Sequence, residues 1–281
     1  RTYKAVKQLD YPESKLNIYV LDDLGDKNVE LLAKYYEYHY LSRPNKGEFK
    51  KSGNLKYGYE HSQGKYILIL DADFAPSPEI IYDLMLYLER DKAIGICQSP
   101  QDFIINKNEP KFVQMGDIGI QEFFYRICQT ARNEFGATIC TGTNALYRRQ
   151  ALKDAGGFYQ IEHSEDSHTG ISIVKNGYKI FYVPMVLATG YCPSDYLKLF
   201  KQRSRWCQGS LSLMRSKLFR EAKFNFMARL CYFSGFYYYL NSLIILILPF
   251  HTLFLLSTPQ KSSLSDTLFF IPNIIYLLLS Y

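Results

Sequence analysis

Ile67-Leu68-Ile69-Leu70-Asp71-Ala72-Asp73-Phe74 is the stretch on which the fold turns. Four apolar residues in a row, bounded by turn-forming residues, read as a central parallel strand of an α/β sheet. The run stops at two carboxylates one residue apart, and Pro76-Ser77-Pro78 then breaks the chain before a helix. In open α/β sheets, ligands collect beyond the carboxyl ends of the strands. Desolvating Asp71 and Asp73 together is costly without a cation. The pair therefore reads as a divalent-metal site for a phosphorylated ligand. The competing reading is a solvated acidic turn.

The same arrangement stands upstream. Leu16 to Leu21 reads as a strand that runs into Asp22-Asp23, and 1–10 as a helix before it. Val29 to Tyr38 has helical spacing, and Tyr40 to Pro44 is a short strand and turn. Asn45 to Asn54 reads as a loop rich in Lys and Gly, with Lys46, Lys50, Lys51, Gly47 and Gly53, before a helix from Leu55 to His61. Strands alternating with helices at this spacing predict a parallel sheet with crossovers. Neither G-x-G-x-x-G nor a Walker pattern is present, so no Gly-rich phosphate loop of those kinds operates.

Downstream, Pro78 to Leu88 reads as a helix, Ala93 to Gln98 as a strand, and Pro110 to Phe135 as mostly helical. Thr141-Gly142-Thr143-Asn144 is a polar turn before the strand Ala145 to Arg148. Gln150 to Ala155 is a short helix closed by Gly156-Gly157. Ser164 has the chemistry of an N-cap, which places Glu165 and Asp166 in the first turn of a helix that ends at Gly177. Ile180 to Val183 is a further strand.

Composition narrows the class. The 281 residues are 47% hydrophobic, enough for a full core, with a net charge of only +6. No basic run with interleaved aromatics follows, so nucleic acid is not an expected partner. The six cysteines form no C-x-x-C pair and suit a reducing compartment. His163 and His168 are too far apart in register to share a helix face, and read as ordinary polar residues.

From Tyr196 the chain turns helical, amphipathic and basic, and holds the only tryptophan, Trp206. After Arg229 no charge occurs until Lys261, and 267–281 is uncharged again. Both stretches read as membrane spans, the second one truncated. Lys and Arg crowd before the first, which puts the globular part on the cytoplasmic side. Both chain ends look cut, so a fragment of a multi-pass plasma-membrane protein is expected.

Asp22-Asp23, Asp71-Ala72-Asp73, Ser164-Glu165-Asp166 and Gln202-Arg203-Ser204-Arg205-Trp206 occur in this order. The series resembles the D, D-x-D, [TS]-E-D, Q-x-x-R-W pattern of the family-2 glycosyltransferases, in the processive, membrane-embedded branch typified by cellulose synthase. The resemblance implies an α/β fold of GT-A type, with a mostly parallel sheet over 1–195. It implies an interface helix region over 196–229 and transmembrane helices over 230–281. The family's first strand would precede Arg1.

The resemblance also implies roles. Asp22 and Asp23 would contact the nucleoside, and Asp71 and Asp73 the diphosphate and a Mg²⁺ or Mn²⁺ ion. Asp166 would be the general base, with Glu165 beside it. Lys51, Gln202 and Arg205 would contact the diphosphate. Trp206 would be the platform for the acceptor sugar, and Thr141, Gly142 and Thr143 would line the acceptor channel. The implied reaction extends a polysaccharide, such as a β-glucan, cellulose or a capsule polymer, from a UDP-sugar, most simply UDP-glucose. Oligomers or accessory subunits fit such a protein. A transferase adding one sugar to a lipid carrier, and a chitin or hyaluronan synthase, are the alternatives; a catalytically dead membrane scaffold is the third. Leu24 and Ser164 depart from the family's more usual Gly and Thr.

Overall fold

A computed structural model describes residues 1–257. The chain divides into two compact units, Arg1–Cys231 and Tyr232–Tyr281.

The first unit opens with α1 (Thr2–Val6), a 3-10 turn (Glu13–Lys15) and β1 (Tyr19–Leu21). Then come α2 (Lys27–Tyr35), β2 (His39–Leu41), α3 (Lys50–Glu60), β3 (Tyr66–Ile69) and β4 (Ala75–Pro76). The middle holds α4 (Ile80–Arg90), β5 (Ile94–Gln98), β6 (Asp102–Ile104) and α5 (Lys111–Phe123). A π-helical turn (Phe124–Gln129) joins α5 to α6 (Thr130–Glu134). The rest is β7 (Ala145–Arg148), α7 (Arg149–Asp154), α8 (Glu165–Lys175), β8 (Lys179–Tyr182), β9 (Ala188–Tyr191), α9 (Tyr196–Arg215) and α10 (Lys217–Glu221). α11 (Phe226–Ser257) supplies the described part of the second unit.

Among the described residues the strands form three sheets with orders β1-β2, β3-β7-β5-β8 and β4-β9-β6. Here the structure corrects the expectation of a mostly parallel sheet. β1–β2, β5–β8 and β6–β9 are parallel, while β3–β7, β5–β7 and β4–β9 are antiparallel. β3, read as a central parallel strand, is an edge strand of its sheet and runs antiparallel to its one neighbour, β7. Apolar runs report burial, not pairing direction, and β3 is apolar because the sheet is covered on both faces. Alternation along the strands divides the core accordingly. Leu146 and Cys97 point into the layer with Ile80, Leu84 and Leu88 of α4. Ala145, Tyr147 and Ile96 point into the layer with Ala151, Leu152 and Ile173 of α7 and α8.

One boundary and one cap differ from the sequence reading. α3 begins at Lys50, so Lys51 and Gly53 are helical and not part of a loop. Phe49 and Lys50 take positive φ angles of 51° and 48°, a kinked start that propensity does not foretell. Ser164 does occupy the N-cap position of α8, but with φ of 55° and no side-chain capping bond.

Among the described residues no helix is long and apolar enough to cross a membrane. The expected second span, 267–281, lies outside the described residues, and so do most side chains of 240–257.

Candidate active site

The site grows from the pairing of β3 with β7. Because the two run antiparallel, the first residue of β7, Ala145, pairs with Ile69 at the carboxyl end of β3. The 141–144 turn is thereby set beside Asp71, whose amide donates to Thr143 Oγ1 at 2.9 Å. The turn is held from behind by buried glutamines. Gln98 accepts from the Thr141 amide at 3.1 Å, and Gln129 Nε2 donates to the Ile139 carbonyl at 2.7 Å. Gln101 Nε2 donates to the Thr141 carbonyl at 3.0 Å.

Lys51, in the first turn of α3, enters the centre of this arrangement. Its Nζ donates to Asp71 Oδ1 at 2.5 Å and to the Gly142 carbonyl at 3.1 Å. It also stands 3.7 Å from Glu165 Oε1. Burial pulls the Lys51 pKa down, and the charges of Asp71, Glu165 and Asp166 outweigh that pull and hold it above its ordinary value.

Asp166 stands on the other side of the same turn. A Cβ on Gly142 would lie 2.8 Å from Asp166 Cβ and 2.9 Å from its Oδ2. Gly142 also has φ of 74°, so glycine is required there twice over. Asp166 reaches the cleft, yet its carboxyl is packed by protein. Desolvation first, and then the charge of Glu165, push its pKa up to about 7 against the opposing pull of Lys51. A carboxyl poised there can accept a proton near neutral pH.

Asp73 lies beyond Asp71. Desolvation and the charge of Asp71 raise its pKa. Two carboxylates that repel in this way would be relieved by a cation. Among the described residues no group of three or more His, Cys, Asp or Glu side chains could hold a metal ion. Two carboxylates are nonetheless a sufficient protein contribution for Mg²⁺ or Mn²⁺ when phosphate oxygens complete the shell. The donor set therefore fits an ion that arrives with a diphosphate.

Asp22 and Asp23 form a second, neighbouring group. Asp22 accepts from the amides of Leu24 (2.9 Å) and Asp26 (2.6 Å) and from the Tyr40 hydroxyl (2.8 Å). Burial alone would raise its pKa, and these bonds outweigh it and hold the carboxyl below its usual range. Asp23 is paired with Arg43, accepts from the Gly47 amide at 3.1 Å, and is lowered chiefly by the Arg43 hydrogen bond. Arg43 is buried and also donates to the Lys50 carbonyl at 3.2 Å, so it joins the Asp23 loop to the helix carrying Lys51. Sequence reasoning missed Arg43; its place just before Pro44 was the available signal.

α9 docks on this site through Gly209, where a Cβ would lie 1.6 Å from Ser164 Oγ. One turn of helix before Gly209 stand Arg205 and Trp206, and two turns before it stands Gln202. Among the described residues none of the three is hydrogen-bonded or ion-paired to the acidic cluster. Gln202 Oε1 is buried without a hydrogen-bond partner, and Arg205 is exposed.

A family model described as glycosyl transferase family group 2 matches residues 66–281. The chain belongs to that family. It is 29% identical over 252 residues to the cellulose synthase 1 catalytic subunit (UDP-forming) of Komagataeibacter xylinus, covering 88% of this chain and 34% of that protein. It is 26% identical over 286 residues to the cellulose synthase catalytic subunit (UDP-forming) of Pseudomonas fluorescens SBW25, covering 98% and 38%. The chain thus spans between a third and two fifths of those relatives' length. Among solved structures, the fold matches a mannosyltransferase of Pyrobaculum calidifontis in complex with GDP-Man and Mn²⁺, with a TM-score of 0.61. Identity there is 18%, over 98% of this chain and 79% of that one.

With Asp166 acting as proposed below, Gly142→Ala is expected to lower sugar transfer about a hundredfold, because it displaces Asp166 by a fraction of an ångström or more. Turnover measured beside a thermal melt separates this from unfolding; wild-type turnover would show that the turn and Asp166 are not coupled.

Proposed function

We propose that this chain carries the catalytic centre of a processive, inverting β-glycosyltransferase that lengthens a polysaccharide from a UDP-sugar, with UDP-glucose the favoured donor. The observation that carries the reading is the convergence of Lys51, Asp71, Gly142, Glu165 and Asp166 on one cleft. Family membership and the UDP-forming names of the relatives support it.

The chemistry follows from the groups present. Asp166 accepts the proton of the acceptor hydroxyl, whose oxygen forms the new bond to the anomeric carbon. The bond from that carbon to the diphosphate oxygen breaks, and UDP leaves with the electron pair. A single displacement inverts the anomeric centre and needs one base, unlike the carboxylate pair of a hydrolase. Lys51, Gln202 and Arg205 offer donors to the diphosphate as its charge grows. Asp71 and Asp73 would hold Mg²⁺ or Mn²⁺, which when bound supplies neutralising charge at the leaving group. Asp22 and Asp23, braced by Tyr40 and Arg43, shape the loop proposed to meet the nucleoside. Trp206 offers a ring face to the acceptor sugar, and the 141–143 turn lines its path.

A lipid bilayer is the proposed partner of the apolar surface. α5 is inverted: its buried positions are Gln114, Asp117 and Gln121. Phe112 is 90% exposed, and Met115, Ile120 and Phe123 are exposed with it. α9 likewise exposes Tyr196, Leu197 and Phe200. A helix with its apolar side outward suits an interfacial position. Together with the charge-free sequence after Arg229, this favours a membrane-bound enzyme whose catalytic unit faces the cytoplasm.

Each radiolabelled UDP-sugar, supplied separately to the full-length protein with Mg²⁺ or Mn²⁺, tests the reading. Label from UDP-glucose is expected in high-molecular-weight material that linkage-specific glucanases degrade, and Asp166→Asn should abolish it while UDP binding persists. Label confined to a lipid extract would move the assignment to single-sugar transfer. The pH dependence has a definite sign. A base must be deprotonated, so kcat/KM should rise with pH up to about 7, where Asp166 loses its proton, and level off above. A flat profile from about pH 5.5 to 8 would remove Asp166 from the role.

A further inference from the structure

The polar interior of α5 holds a device that the reaction as described does not use. Gln114 accepts from the Asn106 amide at 2.8 Å and, weakly, from Cys192 Sγ at 3.9 Å, and donates to the Pro110 carbonyl at 3.0 Å. Asp117, one turn on, is fully buried and reaches across to α9, where Arg203 donates to its Oδ1. Its Oδ2 is buried with no hydrogen-bond partner, so Arg203 is the one ion-pair partner of a buried charge among the described residues. A buried carboxylate is costly to leave unpaired, which fixes Arg203 where it is.

Arg203 in turn touches the tryptophan. Its guanidinium carbon lies 4.7 Å from the centroid of the Trp206 ring, within cation–π range. The two residues are three apart on α9 and share a helix face. A planar guanidinium can meet a carboxylate with its N–H edge and an indole with its flat face, which an ammonium cannot do. One surface of the Trp206 ring is thereby occupied and its tilt constrained.

We propose that Asp117 is a positioning residue for acceptor binding: it fixes Arg203, and Arg203 fixes the Trp206 ring against which the acceptor sugar stacks. The proposal rests on the reading of Trp206 as the acceptor platform. A purely structural tie between α5 and α9 would instead affect donor and acceptor use alike.

The test is steady-state kinetics of the full-length enzyme in vesicles, with a soluble oligosaccharide of the product as acceptor, for Arg203→Lys, Asp117→Asn, the double variant and Trp206→Ala. Arg203→Lys keeps the charge and can keep the ion pair, but removes the planar guanidinium from over the ring. It is expected to raise the acceptor KM about fivefold or more and leave the donor KM within about twofold. Asp117→Asn should do the same, and the double variant should be no worse than the poorer single, because both act through one ring. An unchanged acceptor KM in Arg203→Lys, while Trp206→Ala raises it, would overturn the positioning role and spare the platform. An unchanged acceptor KM in Trp206→Ala would overturn the platform reading itself, and the proposal with it. Equal rises in both KM values would reduce the pair to a structural tie. If Asp117→Asn does not fold, Arg203→Lys decides the matter alone.

Discussion

One ammonium group organises the cleft. Lys51 Nζ lies against Asp71 from the end of β3 and near Glu165 from the start of α8, and it also holds the carbonyl of Gly142 between them. Without that charge, Asp71, Glu165 and Asp166 would repel one another across a half-buried space, which disfavours their ionised forms. The constraint acts in both directions. Lys51 lets three segments distant in sequence converge, and it keeps Asp166 from being raised further by its neighbours. A cleft so rich in carboxylates, in which burial and the charge of Asp71 raise Asp73 against the weaker pull of Lys51, suits the phosphate- and metal-bearing ligand proposed above.

The rest of the fold delivers groups to that point. Antiparallel pairing of β3 with β7 brings the 141–144 turn to Asp71. Arg43 braces the Asp23 loop against the start of α3. Gly209 lets α9 lie directly on Ser164, the residue before Glu165, so the basic helix is fixed relative to the first turn of α8, which carries the proposed base. Ser164 and Asn144, both with positive φ and neither a glycine, precede α8 and β7 beside the cleft.

Much of this was legible beforehand, and what was not has physical causes. β7 and β5 were readable because buried strands advertise themselves by apolar runs between turn residues. The acidic motifs were readable because carboxylates at strand ends are conspicuous. Pairing direction was not readable, since side-chain alternation is the same either way, and the antiparallel β3–β7 pair is what builds the site. The start of α3 was hidden because Lys-Lys-Ser-Gly-Asn looks like a loop, and tertiary bonds from Arg43 and Lys51 override that propensity. Arg203 looked like one more basic residue of an amphipathic helix. Only the buried Asp117, on a helix whose polar side faces inward, distinguishes it. An inverted α5 cannot be told from a normal amphipathic helix by periodicity, which gives the faces but not which of them meets water.

The claim that the Lys51-centred carboxylate cluster is the diphosphate site is open to one direct measurement. UDP should be titrated calorimetrically into the wild-type protein and into Asp71→Asn, each with Mn²⁺ and with chelator. Binding by the wild type is expected to weaken at least about tenfold on chelation, with a comparable loss in Asp71→Asn even with the metal present. Equal affinity in all four titrations would place the diphosphate elsewhere and contradict it.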